Sequence, residues 1–80
     1  MRLDKYLKVS RLIKRRTVAN EAASGGRVCV NGREVKPSYT VKIGDIIELT
    51  MGSRTVKVEV VSLNEHAGKA EASALYREII

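Results

Sequence analysis

The sequence has few of the residues that build catalytic and metal sites. It contains one Cys, Cys29, and one His, His66, so a Cys/His zinc set cannot be assembled. A Cys–His nucleophilic pair is formally possible, but Cys29 falls in a predicted strand and His66 in a polar loop. Asp45 follows a glycine, where an Asp usually hydrogen-bonds the backbone of a turn. We therefore predict a binding protein and not an enzyme, with no metal and no cofactor.

Aromatic residues and long apolar runs are also scarce. Phe and Trp are absent, so the core must be built from Val, Ile, Leu and Ala with three Tyr. No apolar run approaches the roughly 20 residues that a membrane span requires. Charged residues interrupt the first ten positions, where a signal peptide would have its apolar segment. A single Cys cannot form an internal disulfide. These absences predict one small cytoplasmic protein with no membrane partner.

Positive charge is concentrated in the first half of the sequence. Residues 1–36 contain ten Lys or Arg against three acids, whereas residues 37–80 contain five against six. Such local asymmetry is typical of a surface that binds a polyanion. Without a long recognition helix or a dimer signature, structured RNA is favoured over the major groove of DNA. One convex face can carry the basic residues of two predicted helices and their junction: Arg2, Lys5, Arg11, Lys14, Arg15 and Arg16.

Two short helices are predicted before residue 26. Leu3, Tyr6 and Leu7 recur at helical spacing and predict a helix over residues 2–9, with Asp4 and Lys8 as an exposed i, i+4 pair. A second helix is predicted from Thr17, as N-cap, to Ser24, ended by two glycines. The cations at 14–16 then lie where the helix dipole disfavours them, which indicates a role beyond folding.

The rest of the sequence predicts an antiparallel sheet. Strand 28–30 leads into Asn31-Gly32, a strong signal for a type I′ hairpin, and 33–35 forms the return strand. Residues 41–50, interrupted by a turn at 44–45, and residues 55–63 predict further strands. Apolar positions 72, 75, 76 and 79 recur at helical spacing and predict a C-terminal amphipathic helix. The fold class is α+β, with a domain over residues 1–63 and a loop plus packed helix over 64–80.

Several motifs combine into a recognisable pattern. They are Arg2-Leu3-Asp4-Lys5, then Arg16 and Ala19, then Gly26-Arg27-Val28-x-Val30-Asn31-Gly32, then Lys36-Pro37-Ser38 and Gly44-Asp45-Ile46-Ile47. Together they span roughly residues 2–50 and resemble the S4 RNA-binding domain. The resemblance implies the αL motif, in which two helices pack on a short, bent antiparallel sheet and present basic residues to structured RNA.

The resemblance also implies roles for individual residues. Arg2 and Arg16 match the most diagnostic basic positions and are expected to contact rRNA phosphates, while Asp4 is expected to orient a nearby Arg. The family usually has Ser where this chain has Arg15, so the capping role is expected to pass to Thr17. The remaining candidate RNA-binding residues would enlarge the patch or flank the hairpin: Lys5, Lys8, Arg11, Lys14, Arg15, Arg27 and Lys36.

Among S4 proteins, the chain closely resembles the stand-alone members of bacterial ribosome-associated quality control. This likeness implies binding to the 23S rRNA of the 50S subunit and to peptidyl-tRNA. It further implies support of an RqcH-type tailing factor that adds C-terminal alanine, and a monomer off the ribosome. The alternative within the family is a heat-shock-type recycling factor, which typically has a longer, basic C-terminal extension. Outside it, a DNA-binding transcriptional regulator and a scaffold for acidic proteins remain as alternatives.

Overall fold

Two short helices lie against a five-stranded antiparallel sheet in the computed structural model, which describes residues 1–79. The strands are ordered β2-β1-β3-β4-β5 across the sheet. The predicted α+β class, with two helices beside an antiparallel sheet, is confirmed. The elements are α1 (Leu3–Val9), α2 (Arg16–Ser24), β1 (Val28–Val30), β2 (Arg33–Glu34), β3 (Ile46–Met51), β4 (Arg54–Val60), a short 3₁₀ helix (Ala72–Ala74) and β5 (Tyr76–Glu78).

Helix α1 forms as its apolar spacing predicts. Leu3, Tyr6 and Leu7 are fully buried on the face that meets the sheet and α2. No side chain caps the first residue; instead the Leu3 amide donates to the Tyr39 carbonyl at 2.8 Å and the Asp4 amide to the Pro37 carbonyl at 3.1 Å. Free first-turn amides need such partners. The loop around residue 38 therefore fixes where α1 begins.

Helix α2 begins earlier than its sequence signals predict. Arg15 is the N-cap, with extended backbone angles and no side-chain hydrogen bond, and Arg16 is the first helical residue. The prediction of Thr17 as N-cap was wrong. The intrinsic capping preference of Thr amounts to about 1 kcal/mol. Here it is overridden by tertiary contacts, because Ala19 is buried in the core and Arg16 contacts an acid of α1.

The hairpin between β1 and β2 has the predicted turn. Asn31 and Gly32 have φ angles of 53° and 82°, as a type I′ turn requires at both central positions. The Asn31 side chain also accepts a hydrogen bond from the Ile46 amide at 2.9 Å and donates to Asp45 at 3.1 Å. Asp45 in turn accepts from the Lys42 amide at 2.9 Å. Asn31 and Asp45 thus join the hairpin to the turn before β3, which agrees with their predicted structural role.

The sheet buries one face and exposes the other. Val28, Val30, Ile47, Leu49, Val58 and Val60 alternate along the three central strands and form the core with both helices. Register places Cys29, Glu48 and Lys57 side by side on the opposite face. Glu59 and Arg77 are neighbours on β4 and β5 and form an ion pair there. This outer face is polar with mixed charge, in contrast to the basic helices.

The predicted C-terminal amphipathic helix was wrong. The segment forms only a one-turn 3₁₀ helix over Ala72–Ala74, followed by β5, which pairs Tyr76 with Val60 on β4. The backbone groups along the outer edge of β4 would otherwise lack partners, and β5 supplies them. Leu75, one of the apolar residues of the predicted helix, is nevertheless buried in the core although the segment is not an α-helix. The predicted boundary at residue 63 stays a prediction, and residue 80 lies outside the described residues.

Candidate RNA-binding surface

A buried carboxylate lies where the two helices meet. Asp4 is in the first turn of α1, and its side chain is only 3% exposed. The predicted exposed pair with Lys8 was therefore wrong. Asp4 follows Leu3 on the helix, and its side chain turns toward the start of α2 instead of toward solvent. Burying an unpaired carboxylate is costly, so its partners decide whether this position is tolerated.

Asp4 has partners for both of its oxygens. Oδ1 accepts hydrogen bonds from Arg2 Nε at 3.2 Å, from the Lys5 amide at 2.8 Å and from Arg16 Nη2 at 3.4 Å. Oδ2 accepts from Arg2 Nη2 at 3.2 Å and from Asn20 Nδ2 at 3.2 Å. The Arg2 pairing is bidentate, the geometry in which Arg and carboxylate interact most strongly. These residues are named the Asp4 cluster: Arg2, Asp4, Arg16 and Asn20.

The Asp4 cluster favours the ionised carboxylate. Burial acts to raise the pKa of Asp4, but hydrogen bonds from Asn20 and Arg2, the charge of Arg16 and the Lys5 amide outweigh it. The pKa of Asp4 is consequently below its ordinary value of 3.8. At neutral pH this single negative charge lies between two cations.

Arg2 and Arg16 each keep about half of their side-chain surface in solvent. Their side chains are 51% and 48% exposed, although each contacts Asp4. Arg2 directly precedes α1 and Arg16 begins α2, so the two diagnostic cations come from different elements and meet at one carboxylate. The predicted helix-dipole penalty at Arg16 is offset locally by Asp4. The prediction that Asp4 orients a nearby Arg agrees with this geometry.

The other predicted cations of α1 and its connection are arranged around this point. Lys5 is half-buried and makes an ion pair with Glu65 at 3.5 Å. Lys8 is exposed in the last turn of α1. Arg11 follows the helix in a left-handed conformation, with φ of 62°, and its side chain is also exposed. Lys14 and Arg15 are exposed just before α2.

Lys36 lies close to the start of α1, whereas Arg27 lies apart from the Asp4 cluster. Lys36 is exposed next to Pro37, whose carbonyl holds the start of α1. Arg27 lines a groove with Val18, Ala22 and Met51, among other residues. Val18 is 200° around α2 from Arg16 at 100° per residue, so this groove is on the far side of the helix. The structure therefore does not bring Arg27 to the Asp4 cluster.

The sequence predictions missed Asn20. It lies one turn after Arg16 on α2 and binds Asp4 Oδ2. With Asp4, Arg16, Thr17 and Glu21 it lines an open depression at the junction of the helices. A polar residue at i+4 from a functional Arg is the only sequence signal that could have indicated it.

Within residues 1–79, no group of three His, Cys, Asp or Glu is arranged to hold a metal ion. Neither α1 nor α2 has the length and apolar content to cross a lipid bilayer. The exposed cations on α1, its connection and α2 form the candidate surface.

Two helices bearing exposed basic residues beside a small antiparallel sheet suit an RNA-binding domain that recognises shape and phosphates. The profile of the S4 domain family matches residues 1–47, which is more than half of the chain. The chain therefore belongs to the S4 domain family.

Relatives of known name place it more closely within that family. The chain is 53% identical over 76 residues to the RQC P-site tRNA stabilizing factor of Listeria monocytogenes, covering 95% of this chain and 83% of that protein. It is 49% identical over 80 residues to the protein of the same name from Streptococcus pneumoniae, covering 100% and 90%. A trimeric structure of Vibrio cholerae Heat Shock Protein 15 is similar with a TM-score of 0.91 and 38% identity, covering 99% of this chain and 81% of that one.

Proposed function

We propose that the chain is a non-catalytic RNA-binding protein of bacterial ribosome-associated quality control. It binds the 23S rRNA of obstructed 50S subunits together with the peptidyl-tRNA that they retain. In that position it supports an RqcH-type factor that adds C-terminal alanine to the stalled nascent chain. The proposal includes action in the cytoplasm as a monomer when off the ribosome.

The Asp4 cluster is the observation that carries the RNA-binding part of the proposal. Two Arg side chains, each about half exposed, contact one carboxylate at the helix junction. Arg guanidinium groups recognise phosphate with paired N–H donors. The exposed Lys8, Arg11, Lys14 and Arg15 continue positive charge away from this point.

The ribosomal part of the proposal is supported by likeness. Relatives that are about half identical over nearly the whole chain bear the name RQC P-site tRNA stabilizing factor. A P-site tRNA on a ribosome is a target of folded RNA and phosphate, the class of ligand that a basic S4 surface suits. A role for Lys5, Lys8, Arg11 and Arg15 toward the tRNA is part of the proposal.

The test is recovery of the tagged protein from bacterial cells, followed by sequencing of the bound RNA. We expect 23S rRNA and tRNA to be enriched without 16S rRNA. Recovery of DNA, or of acidic proteins after nuclease treatment, would contradict the proposal. A reconstituted tailing reaction with an RqcH-type factor then distinguishes a tailing cofactor from a heat-shock-type recycling factor. The recycling factor would bind 50S subunits without supporting the addition of alanine tails.

A matched pair of variants connects this test to the surface. The Arg2→Ala/Arg16→Ala double variant should lose 50S binding. The Lys42→Ala/Lys69→Ala double variant loses the same charge from exposed positions outside residues 1–36 and should bind like the parent. Equal losses in both variants would show that net charge, and not this surface, governs binding. Light scattering of the parent tests the proposed monomer.

A further inference from the structure

We propose that Asp4 is a positioning residue for RNA binding, whose buried carboxylate holds Arg2 and Arg16 together as a single phosphate-binding unit. This inference rests on the proposed function and deepens it. It assigns a function in anion binding to an acid that does not itself touch the anion. It also assigns a supporting function to Asn20.

The proximity of the guanidinium groups of Arg2 and Arg16 requires a stabilising partner. Like charges repel, and both side chains are long and flexible, so in the absence of a partner they would separate in solvent. Asp4 Oδ1 lies 3.2 Å from Arg2 Nε and 3.4 Å from Arg16 Nη2, so one oxygen joins cations from two different elements. The shared carboxylate therefore sets the spacing of the pair.

The donors that remain suit a phosphate. A guanidinium has five N–H donors. Asp4 accepts two hydrogen bonds from Arg2 and one from Arg16. Arg2 therefore keeps three N–H donors for other acceptors, and Arg16 keeps four. Asp4 itself accepts five hydrogen bonds and is 3% exposed, so it has no accessible lone pair for RNA. The carboxylate therefore orients the two guanidinium groups, and their remaining N–H donors bind the phosphate.

Asn20 fixes the carboxylate from the second helix. Its Nδ2 donates to Asp4 Oδ2 at 3.2 Å, while the Lys5 amide of α1 donates to Oδ1 at 2.8 Å. The carboxylate plane is thus held from both helices before any ligand arrives. Groups that are already ordered lose less conformational entropy on binding, which strengthens the complex.

The direction in which Asp4→Asn changes the affinity for RNA distinguishes positioning by Asp4 from a simple effect of charge. Asp4→Asn removes a negative charge from a cationic surface, so Coulomb attraction alone predicts tighter binding to a polyanion. Positioning predicts the opposite, because the Asn side chain has no negative charge and its NH2 group cannot accept the hydrogen bonds that Asp4 Oδ2 accepts from Arg2 and Asn20. We expect affinity for purified bacterial 50S subunits, measured by co-sedimentation, to fall about tenfold, the scale of one charge-assisted contact.

Glu21→Gln is the matched control. Glu21 is an exposed acid on α2 at the same depression, and the substitution removes the same charge. It should bind 50S subunits as tightly as the parent or slightly more tightly. If Asp4→Asn also binds as tightly as the parent or more tightly, the proposal is overturned.

Two further measurements distinguish weaker binding caused by misfolding from weaker binding caused by displaced Arg side chains. Asn20→Ala leaves the charge unaltered, and we expect about threefold weaker binding with a helical circular-dichroism signal like the parent's. Arg16→Ala should weaken binding about tenfold in the parent but less than threefold in Asp4→Asn, because Arg16 is no longer held there. Unchanged binding by Asn20→Ala would overturn the proposal even if Asp4→Asn folds poorly. Additive losses in a folded Asp4→Asn/Arg16→Ala variant would also overturn it. Unchanged binding by Arg2→Ala/Arg16→Ala would overturn the proposed interface itself.

Discussion

Arg11 occupies a backbone conformation that usually belongs to glycine. It lies two residues after the end of α1, with φ of 62°, and its amide donates to the Lys8 carbonyl at 3.0 Å. A side chain with a Cβ in this region costs roughly 1 kcal/mol. Gly would end the helix without that cost. An exposed cation kept at this expense is consistent with a role for the Arg11 side chain in RNA binding.

Arg11→Gly should therefore stabilise the protein and weaken its RNA binding. The gain in unfolding free energy should be about 0.5 kcal/mol, because relief of strain is partly offset by greater freedom of the unfolded chain. This corresponds to a melting temperature higher by roughly 3 °C for a domain of this size. Affinity for 50S subunits should fall severalfold. Arg11→Asn, which also tolerates the left-handed region, is the control; a lower melting temperature for both would contradict the assignment of strain.

Asp4 should make the stability depend on pH in the acid range. Its pKa is lowered in the folded protein, so its contribution is fully present above the ordinary value of 3.8 and is lost as the pH falls through the folded value. Asp4→Asn should cost about 2 kcal/mol at pH 7. The difference from the parent should shrink steadily below about pH 4. Urea unfolding of both proteins across this range is the measurement, and a difference independent of pH would contradict it.

At the scale of elements, local patterns predicted more than long-range ones. The helical spacing of Leu3, Tyr6 and Leu7 and the Asn31-Gly32 turn are encoded by neighbours in sequence, and both are confirmed. The burial of Asp4 depends on Arg16 and Asn20 from another helix, so no pattern within α1 could indicate it. The apolar spacing at residues 72–79 likewise predicted a helix, because it contains no information on the unpaired edge of β4 with which the segment pairs as a strand.

Helix α1 and the segment before β5 are joined by one buried hydrogen bond. Tyr6 is fully buried, and its hydroxyl donates to the Leu75 carbonyl at 2.6 Å. Burial, with the nearby Tyr76 as a smaller cause, raises the pKa of Tyr6 well above its ordinary range. The hydroxyl therefore stays protonated and keeps donating through alkaline conditions in which an exposed Tyr would ionise.

Tyr6→Phe should loosen β5 before it affects the rest of the sheet. The Leu75 carbonyl keeps the Val61 and Ser62 amides as donors, so loss of this bond should cost about 1 kcal/mol. Amide hydrogen exchange should accelerate most at the residues of β5 that pair with β4. Tyr76→Phe, at a half-buried tyrosine, is the matched control and should change little. Equal stability of Tyr6→Phe and the parent would show that the bond does not hold this segment.

At the scale of the whole molecule, charge is divided between the helical side and the sheet. The exposed cations on and between α1 and α2 contrast with the outer sheet face, where Glu48 neighbours Lys57 and Glu59 pairs with Arg77. Such a division orients the protein as it approaches a polyanion. The helical side should therefore face the RNA and leave the sheet outward.

Binding to RNA should accordingly depend steeply on salt. If about six phosphates are neutralised, a plot of log affinity against log salt concentration should have a slope of roughly −4 to −5. Arg16→Ala should reduce the magnitude of that slope by about 1, whereas Glu21→Gln should not reduce it. Titration of 50S subunits over a potassium chloride series measures both. A flat dependence up to physiological ionic strength would rule out a mainly electrostatic interface.

The bond between Tyr6 and Leu75 also bears on how the protein is made. Its two residues are 69 positions apart, so during translation α1 emerges long before the strand that completes its surroundings. Until then the long edge of β4 is open, and an open edge can pair with other chains. Contacts of such wide separation also slow folding. Nascent chains of this protein should thus pass through an interval of vulnerability to aggregation that ends only when β5 has been synthesised.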